Sequence, residues 1–146
     1  MNKIQKGFTL IELLVVIAVL GILATAVLVA INPLQKINQA NDSKVKNDIG
    51  QMANAVQSYY TIHQYYPNSL TDLTASNELT AVPAVPTGYT AYTISAAPAG
   101  CTTALKTCTS VALGGQIKAP ATTGNTLWCY KTSSGLAAEG TTCTAP

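Results

Sequence analysis

The residues of this 146-residue chain whose types could do chemistry are few: His63, the aspartates Asp42 and Asp48, the cysteines Cys101, Cys108, Cys129 and Cys143, and one glutamate, Glu12, inside an otherwise apolar run. A nucleophile–base pair needs its histidine oriented by a third group, and no G-x-S-x-G or comparable motif accompanies His63. No glycine-rich phosphate loop is present, and Gly114-Gly115 reads as a hairpin turn. Asp42 and Asp48 could touch a cation, but charged helix faces are usually solvated. Asn41-Asp42-Ser43 fits a glycosylation sequon by pattern only. The chain is therefore expected to be no enzyme, with no catalytic residue, metal or cofactor.

The cysteines all fall in the last third. An even number in an extracytoplasmic region reads as two disulfides, and four cysteines allow about three pairings. Pairing near neighbours, Cys101 with Cys108 and Cys129 with Cys143, would close two short loops, the second contributing on the order of 3 kcal/mol in the loop-entropy model. Zinc is disfavoured, because no pair has the close spacing of structural sites.

Charge is scarce: eight lysines, six acids and no arginine. A protein that neutralises phosphates would carry a clustered basic face, and these scattered lysines make none, so nucleic acid is not indicated as a partner. Two of the lysines, Lys3 and Lys6, precede the apolar run; without residues 1–7 the lysines and acids balance. A neutral, threonine-rich surface suits dense packing against copies of the same chain.

That leaves Glu12. From Phe8 to Ile31 it is the one charged residue, and as helix this stretch is about 36 Å long, enough to span a hydrocarbon core of roughly 30 Å. Lys3 and Lys6 in front of it put the N-terminus in the cytoplasm and everything after Ile31 outside. A secretory signal cut at Ala24-Thr25-Ala26 would leave "VLVAI" unexplained. A plain signal anchor would leave the carboxylate unexplained, since an acid at the membrane centre costs about 2.5–3.5 kcal/mol on insertion scales and somewhat less towards the interface.

"KGFTLIE" followed by an uninterrupted apolar segment resembles the class III signal of type IV pilins and pseudopilins over residues 1–31. The resemblance implies a leader of residues 1–7, cut between Gly7 and Phe8 by a membrane aspartic prepilin peptidase that also methylates the new amine of Phe8. It implies that the apolar segment is kept, first in the membrane lipid and then in a filament core. It further implies that Glu12 meets the Phe8 amine of a neighbouring subunit, cancelling a buried charge that is otherwise expensive and setting the axial stagger. Gly21 and Pro33 bound the stretch that loosens in related filaments; Pro33 by itself reads equally well as the membrane exit.

These residues must be positioned by a small set of elements. Residues 8–33 form a transmembrane and filament-core helix. Over 34–63 the pattern becomes one-sided, with Leu34, Ile37, Val45, Ile49, Met52, Val56 and Tyr60 at helical spacing and Lys36, Asn41, Asp42, Lys44, Lys46 and Asp48 on the other faces. The two are expected to run as one helix from Phe8 to about Tyr60 or His63, near 80 Å long. Pro67 and Asn68 end it, and "YPNSLTDL" again resembles the pilin pattern. Residues 64–146 form a head with short strands near Tyr89–Ser95, Thr107–Leu113 and Asn125–Thr132. Tyr60 is expected to pack under the sheet. The fold class is α+β, a long N-terminal helix packed on a small antiparallel sheet, pilin-like.

The reading is a structural subunit of a type IV pilus-like filament, a homo-oligomer that is single-pass in the cytoplasmic membrane before assembly and an extracellular pilus after it. The resemblance adds an inner-membrane platform protein and an assembly ATPase as partners. The alternative is a pseudopilin of a type II secretion or competence (DNA-uptake) system. Four cysteines and a single acid after Glu78, Glu139, favour the pilin.

Overall fold

The computed structural model describes residues 7–146; the leader lysines Lys3 and Lys6 lie outside them. The chain divides into two units, one ending at Lys36 and one comprising Ile37–Pro146.

In the first unit, helix α1 (Leu10–Ile31) buries none of its residues and is long and apolar enough to cross a membrane. It starts at Thr9, whose extended backbone and hydroxyl make the N-cap. It stops at Asn32, which is left-handed at φ 47°. The cause is Pro33: the ring of a proline disfavours the right-handed helical region for the residue before it, and asparagine tolerates the left-handed one better than most. Pro33 itself opens helix α2 (Pro33–His63), so the stretches expected as one element are separated at Asn32.

In the second unit, α2 buries Asp42, Val45, Asp48, Ile49, Met52, Val56 and Tyr59 along one stripe. Leu34 and Ile37, expected on that stripe, are exposed. Each large apolar side chain buried here contributes about 1.5–3 kcal/mol relative to exposure. Tyr59 rather than Tyr60 is the buried tyrosine of the stripe, set edge-on to Tyr65; Tyr60 remains partly exposed and stacks on Tyr66 at 4.5 Å between ring centroids. The helix ends where Gln64 turns left-handed at φ 64°. A short helix, α3 (Leu70–Ala75), follows, opened by a reciprocal cap between Ser69 and Asp72 and anchored by fully buried Leu73.

Four strands complete the head: β1 (Thr93–Ala97), β2 (Ser110–Gln116), β3 (Leu127–Lys131) and β4 (Leu136–Gly140). They pair antiparallel in chain order. Strand periodicity sends Val111, Leu113 and Gly115 of β2 towards α2, and Ser110, Ala112 and Gly114 to the outer face. Val111 and Leu113 join Val45, Ile49, Met52 and Val56 in one core, with Trp128 and Tyr130 of β3 packed at its margin.

Gly114-Gly115 is not a turn. Both lie inside β2, where the missing side chains admit neighbours. A Cβ on Gly114 would fall 2.7 Å from Thr93 Oγ1 and 3.0 Å from Cys143 Cβ. The turn between β2 and β3 falls later, in residues 117–126.

Candidate functional site

The N-terminal edge of α1 carries the candidate site. Thr9-Leu10-Ile11-Glu12 is a capping box: the Glu12 amide donates to Thr9 Oγ1 at 3.3 Å, and Glu12 Oε2 accepts from the Thr9 amide and hydroxyl, both at 2.8 Å. Two helix-end amides that would lack partners are thereby satisfied. A negative charge at this end also complements the helix dipole. Glu12 thus has a local partner in Thr9, which the reading of the acid alone missed. The signal was in the sequence, in a threonine three residues before a glutamate at the start of an apolar run.

Phe8 precedes the cap and is 87% exposed. Gly7 is exposed, and both residues precede the helix in extended or irregular backbone. Beside Glu12, Phe8, Ile11, Val15 and Val16 form an open apolar surface. Gly21 lies mid-helix with open space where a Cβ would stand, and Pro33 follows the break at Asn32.

The head binds its own helix through two buried carboxylates expected on solvated faces. Asp42 is 4% exposed. Its Oδ1 accepts from the Tyr89 hydroxyl at 2.7 Å and the Lys118 amide at 2.9 Å, and its Oδ2 from the Ala119 amide at 2.7 Å. Asp48 Oδ2 accepts from Lys44 Nζ at 2.7 Å and from the Tyr92 hydroxyl. Neither carboxylate is aimed at solvent. Their positions three residues either side of Val45 place them on the core stripe, a spacing legible beforehand. Burial, with the hydrogen bond to Asp42, raises the Tyr89 phenol above its ordinary value, and burial with the bond to Asp48 does the same for Tyr92.

A second polar junction joins β4 to the loop before β3. Glu139 accepts from the Ala121 and Thr122 amides at 2.9 and 3.0 Å, and these bonds hold its carboxyl below the usual range. Lys46 approaches Glu139 at 3.7 Å and lies over the Trp128 ring. His63 packs against the Tyr59 ring at 4.2 Å. Among the described residues, no group of three or more His, Cys, Asp or Glu could hold a metal ion.

Cys101 is bonded to Cys108 and Cys129 to Cys143. The first loop is fastened to the connection between α2 and α3, where the Tyr66 amide donates to the Cys108 carbonyl at 3.0 Å and Asn68 Nδ2 to the Cys101 carbonyl at 3.3 Å.

Residues 2–28 match the family described as the prokaryotic N-terminal methylation motif. The chain is 42% identical over 71 residues to a fimbrial protein of Neisseria meningitidis, covering 49% of this chain and 41% of that one. It is 33% identical over 85 residues to type II secretion system core protein G of Escherichia coli, covering 58% and 57%. With the type IV major fimbrial protein of Dichelobacter nodosus it shares 44% identity over 59 residues, 40% of this chain and 36% of the relative. The chain thus spans about half the length, or less, of the curated relatives it matches. No solved structure matches. Over about half of its length the chain is thus similar to type IV pilins and to a core protein of type II secretion, and the methylation motif of residues 2–28 takes in the cap and most of α1.

Proposed function

We propose that the chain is a structural subunit of a type IV pilus-like filament, stored in the cytoplasmic membrane and polymerised through α1. The observation that carries this reading is a 22-residue helix, apolar but for Glu12 and Thr25 and with no residue buried, whose one charge stands in its first turn within a methylation motif. Such a surface needs a cover, and lipid before assembly and neighbouring copies of the same helix after it both provide one.

In this reading residues 1–7 are a leader, cut between Gly7 and Phe8 by a prepilin peptidase that methylates Phe8. Residues 8–33 enter the core, with Gly21 and Pro33 bounding its flexible part. Residues 34–63 carry the head formed by 64–146. Glu12 pairs with the Phe8 amine of a neighbour. The N-terminus faces the cytoplasm, the head faces outward, and its two disulfides close in an oxidising compartment. A platform protein and an assembly ATPase do the mechanical work, and the chain itself catalyses nothing. A pseudopilin of a secretion or DNA-uptake system is the second reading, favoured by the 33% identity to core protein G.

Mass spectrometry of the native product, with electron microscopy of sheared surface material from wild-type and deletion strains, tests the proposal. Fibres built of a chain starting at methylated Phe8 are expected. A mature start at Met1 or Val27 overturns it. A chain that is processed but retained with the envelope and needed for export of other proteins establishes the second reading instead.

A further inference from the structure

Beyond β4 the last six residues do not leave the head. They double back across the outer face of the sheet. Cys143 is bonded to Cys129 of β3 and sits over Gly114 of β2, where a Cβ would come within 3.2 Å of its Sγ. The Ala145 amide reaches Ser95 Oγ of β1 at 3.4 Å, and Ser110 Oγ of β2 donates to the Pro146 carbonyl at 3.2 Å. One short segment therefore touches three strands. Its floor is made of side chains too small to grip it: Ser95, Ser110, Ala112 and Gly114. Both of its hydrogen bonds to the floor are long, and Thr141, Thr142, Thr144 and Pro146 are exposed. What fastens it is the disulfide.

The two disulfides differ in access. Cys101 and Cys108 are 8% and 1% exposed, and their loop is also held through Tyr66 and Asn68. Cys129 is as buried as Cys101, at 6%, so the difference rests on Cys143, which is only half-buried and whose segment no comparable backbone clamp holds. Attack by a thiolate on a disulfide depends on access to the sulfur.

We propose that residues 141–146 are a redox-latched strap, held on the sheet by Cys129–Cys143 and released by a small dithiol while Cys101–Cys108 stays closed. The dithiol's thiolate attacks Cys143 Sγ and its second thiol resolves the mixed disulfide. Two electrons pass to the protein, Cys129 and Cys143 each end as thiols with one proton, and the dithiol leaves as its own disulfide. A disulfide donor reverses the step. Release removes one wall of a 330 Å³ groove over β3 and β4, where Thr142 of the strap faces Lys131, Leu136 and Ala138. The proposal does not depend on the filament reading.

The test uses the whole chain in detergent micelles, titrated with dithiothreitol, alkylated and read by mass spectrometry. Cys129 and Cys143 are expected to be labelled at reductant concentrations about tenfold or more below those that open Cys101 and Cys108. At that point a carboxypeptidase that accepts proline should trim the C-terminus about tenfold faster, while amides of β1–β3 keep their hydrogen-exchange protection. The double variant Cys129→Ala/Cys143→Ala should show the same trimming without reductant. Simultaneous reduction of the two bonds, unchanged trimming, or loss of sheet protection in the selectively reduced chain or the variant each overturns the latch.

Discussion

Val45 of α2 occupies the space that a side chain at Gly115 of β2 would need: a Cβ there would stand 2.6 Å from Val45 Cγ1 and 3.1 Å from the Tyr92 ring. Helix and sheet approach this closely because that position is empty. Gly115→Ala must push the helix off the strand, and overpacking of this kind costs about 1–3 kcal/mol. Thermal unfolding of the head, followed by circular dichroism on the whole chain in micelles, should show the midpoint fall by several degrees. Val45→Ala in the same chain should recover part of the loss.

Asp42 satisfies two backbone amides and a phenol at once. Asp42→Ala leaves these donors facing each other in a buried space, at a cost of about 3 kcal/mol or more. Asp42→Asn keeps an accepting oxygen and should lose less. Denaturant unfolding measures both, and hydrogen exchange should rise first at the Lys118 and Ala119 amides.

The tyrosines and Glu139 set opposite pH limits. Burial raises the Tyr89 and Tyr92 phenols in the folded head above the ordinary 10.0. The unfolded chain therefore loses those protons first, and their contribution is full below pH 10.0 and lost as pH rises beyond it. Glu139 is shifted downward from 4.5, chiefly by the Ala121 amide and then by that of Thr122. Its contribution is present above that value and disappears as pH falls through the lower folded one. Ultraviolet titration should show Tyr89 and Tyr92 ionising above pH 10.0, together with unfolding. Acid titration by NMR should show the Ala121 and Thr122 amides shifting together with the Glu139 carboxyl, below pH 4.5.

Glu12 has a cap to make and, in the proposed filament, a charge to offer. Glutamine serves at the third position of a capping box as glutamate does, so Glu12→Gln preserves the helix start and removes the charge, whereas Glu12→Ala removes both. The proposed pairing with the Phe8 amine expects both variants to be inserted and processed yet to give few fibres, counted in sheared material. Normal fibre yield from Glu12→Gln, with loss in Glu12→Ala, would make the acid a cap and nothing more.

The α+β class and the resemblance were legible because they rest on long signals: an apolar run broken once, then a one-sided helical pattern. The strands near Ser95, Leu113 and Thr132 were legible within a few residues. What stayed hidden was short or tertiary. Gly114-Gly115 looked like a turn because a glycine pair carries no sign of the residues that will press against it. Asp42 and Asp48 looked solvated because charge was weighed above their spacing from Val45. Tyr60 was preferred to Tyr59 because the two stand four and three residues after Val56, and helical spacing does not choose between them. Residues 136–140, rich in alanine and glycine, have little strand propensity of their own, and pairing with Leu127–Lys131 makes them a strand.

The sheet order β1-β2-β3-β4 bears on how the head is made. Each strand pairs with the one synthesised just before it, so no hairpin waits for a distant partner and loop-closure entropy is met in small instalments. The helical stripe from Asp42 to Tyr59 emerges earlier still and stands ready as a template. Collapse can therefore follow the order of synthesis, and residues 143–146, which appear after all four strands, find a finished surface to close upon.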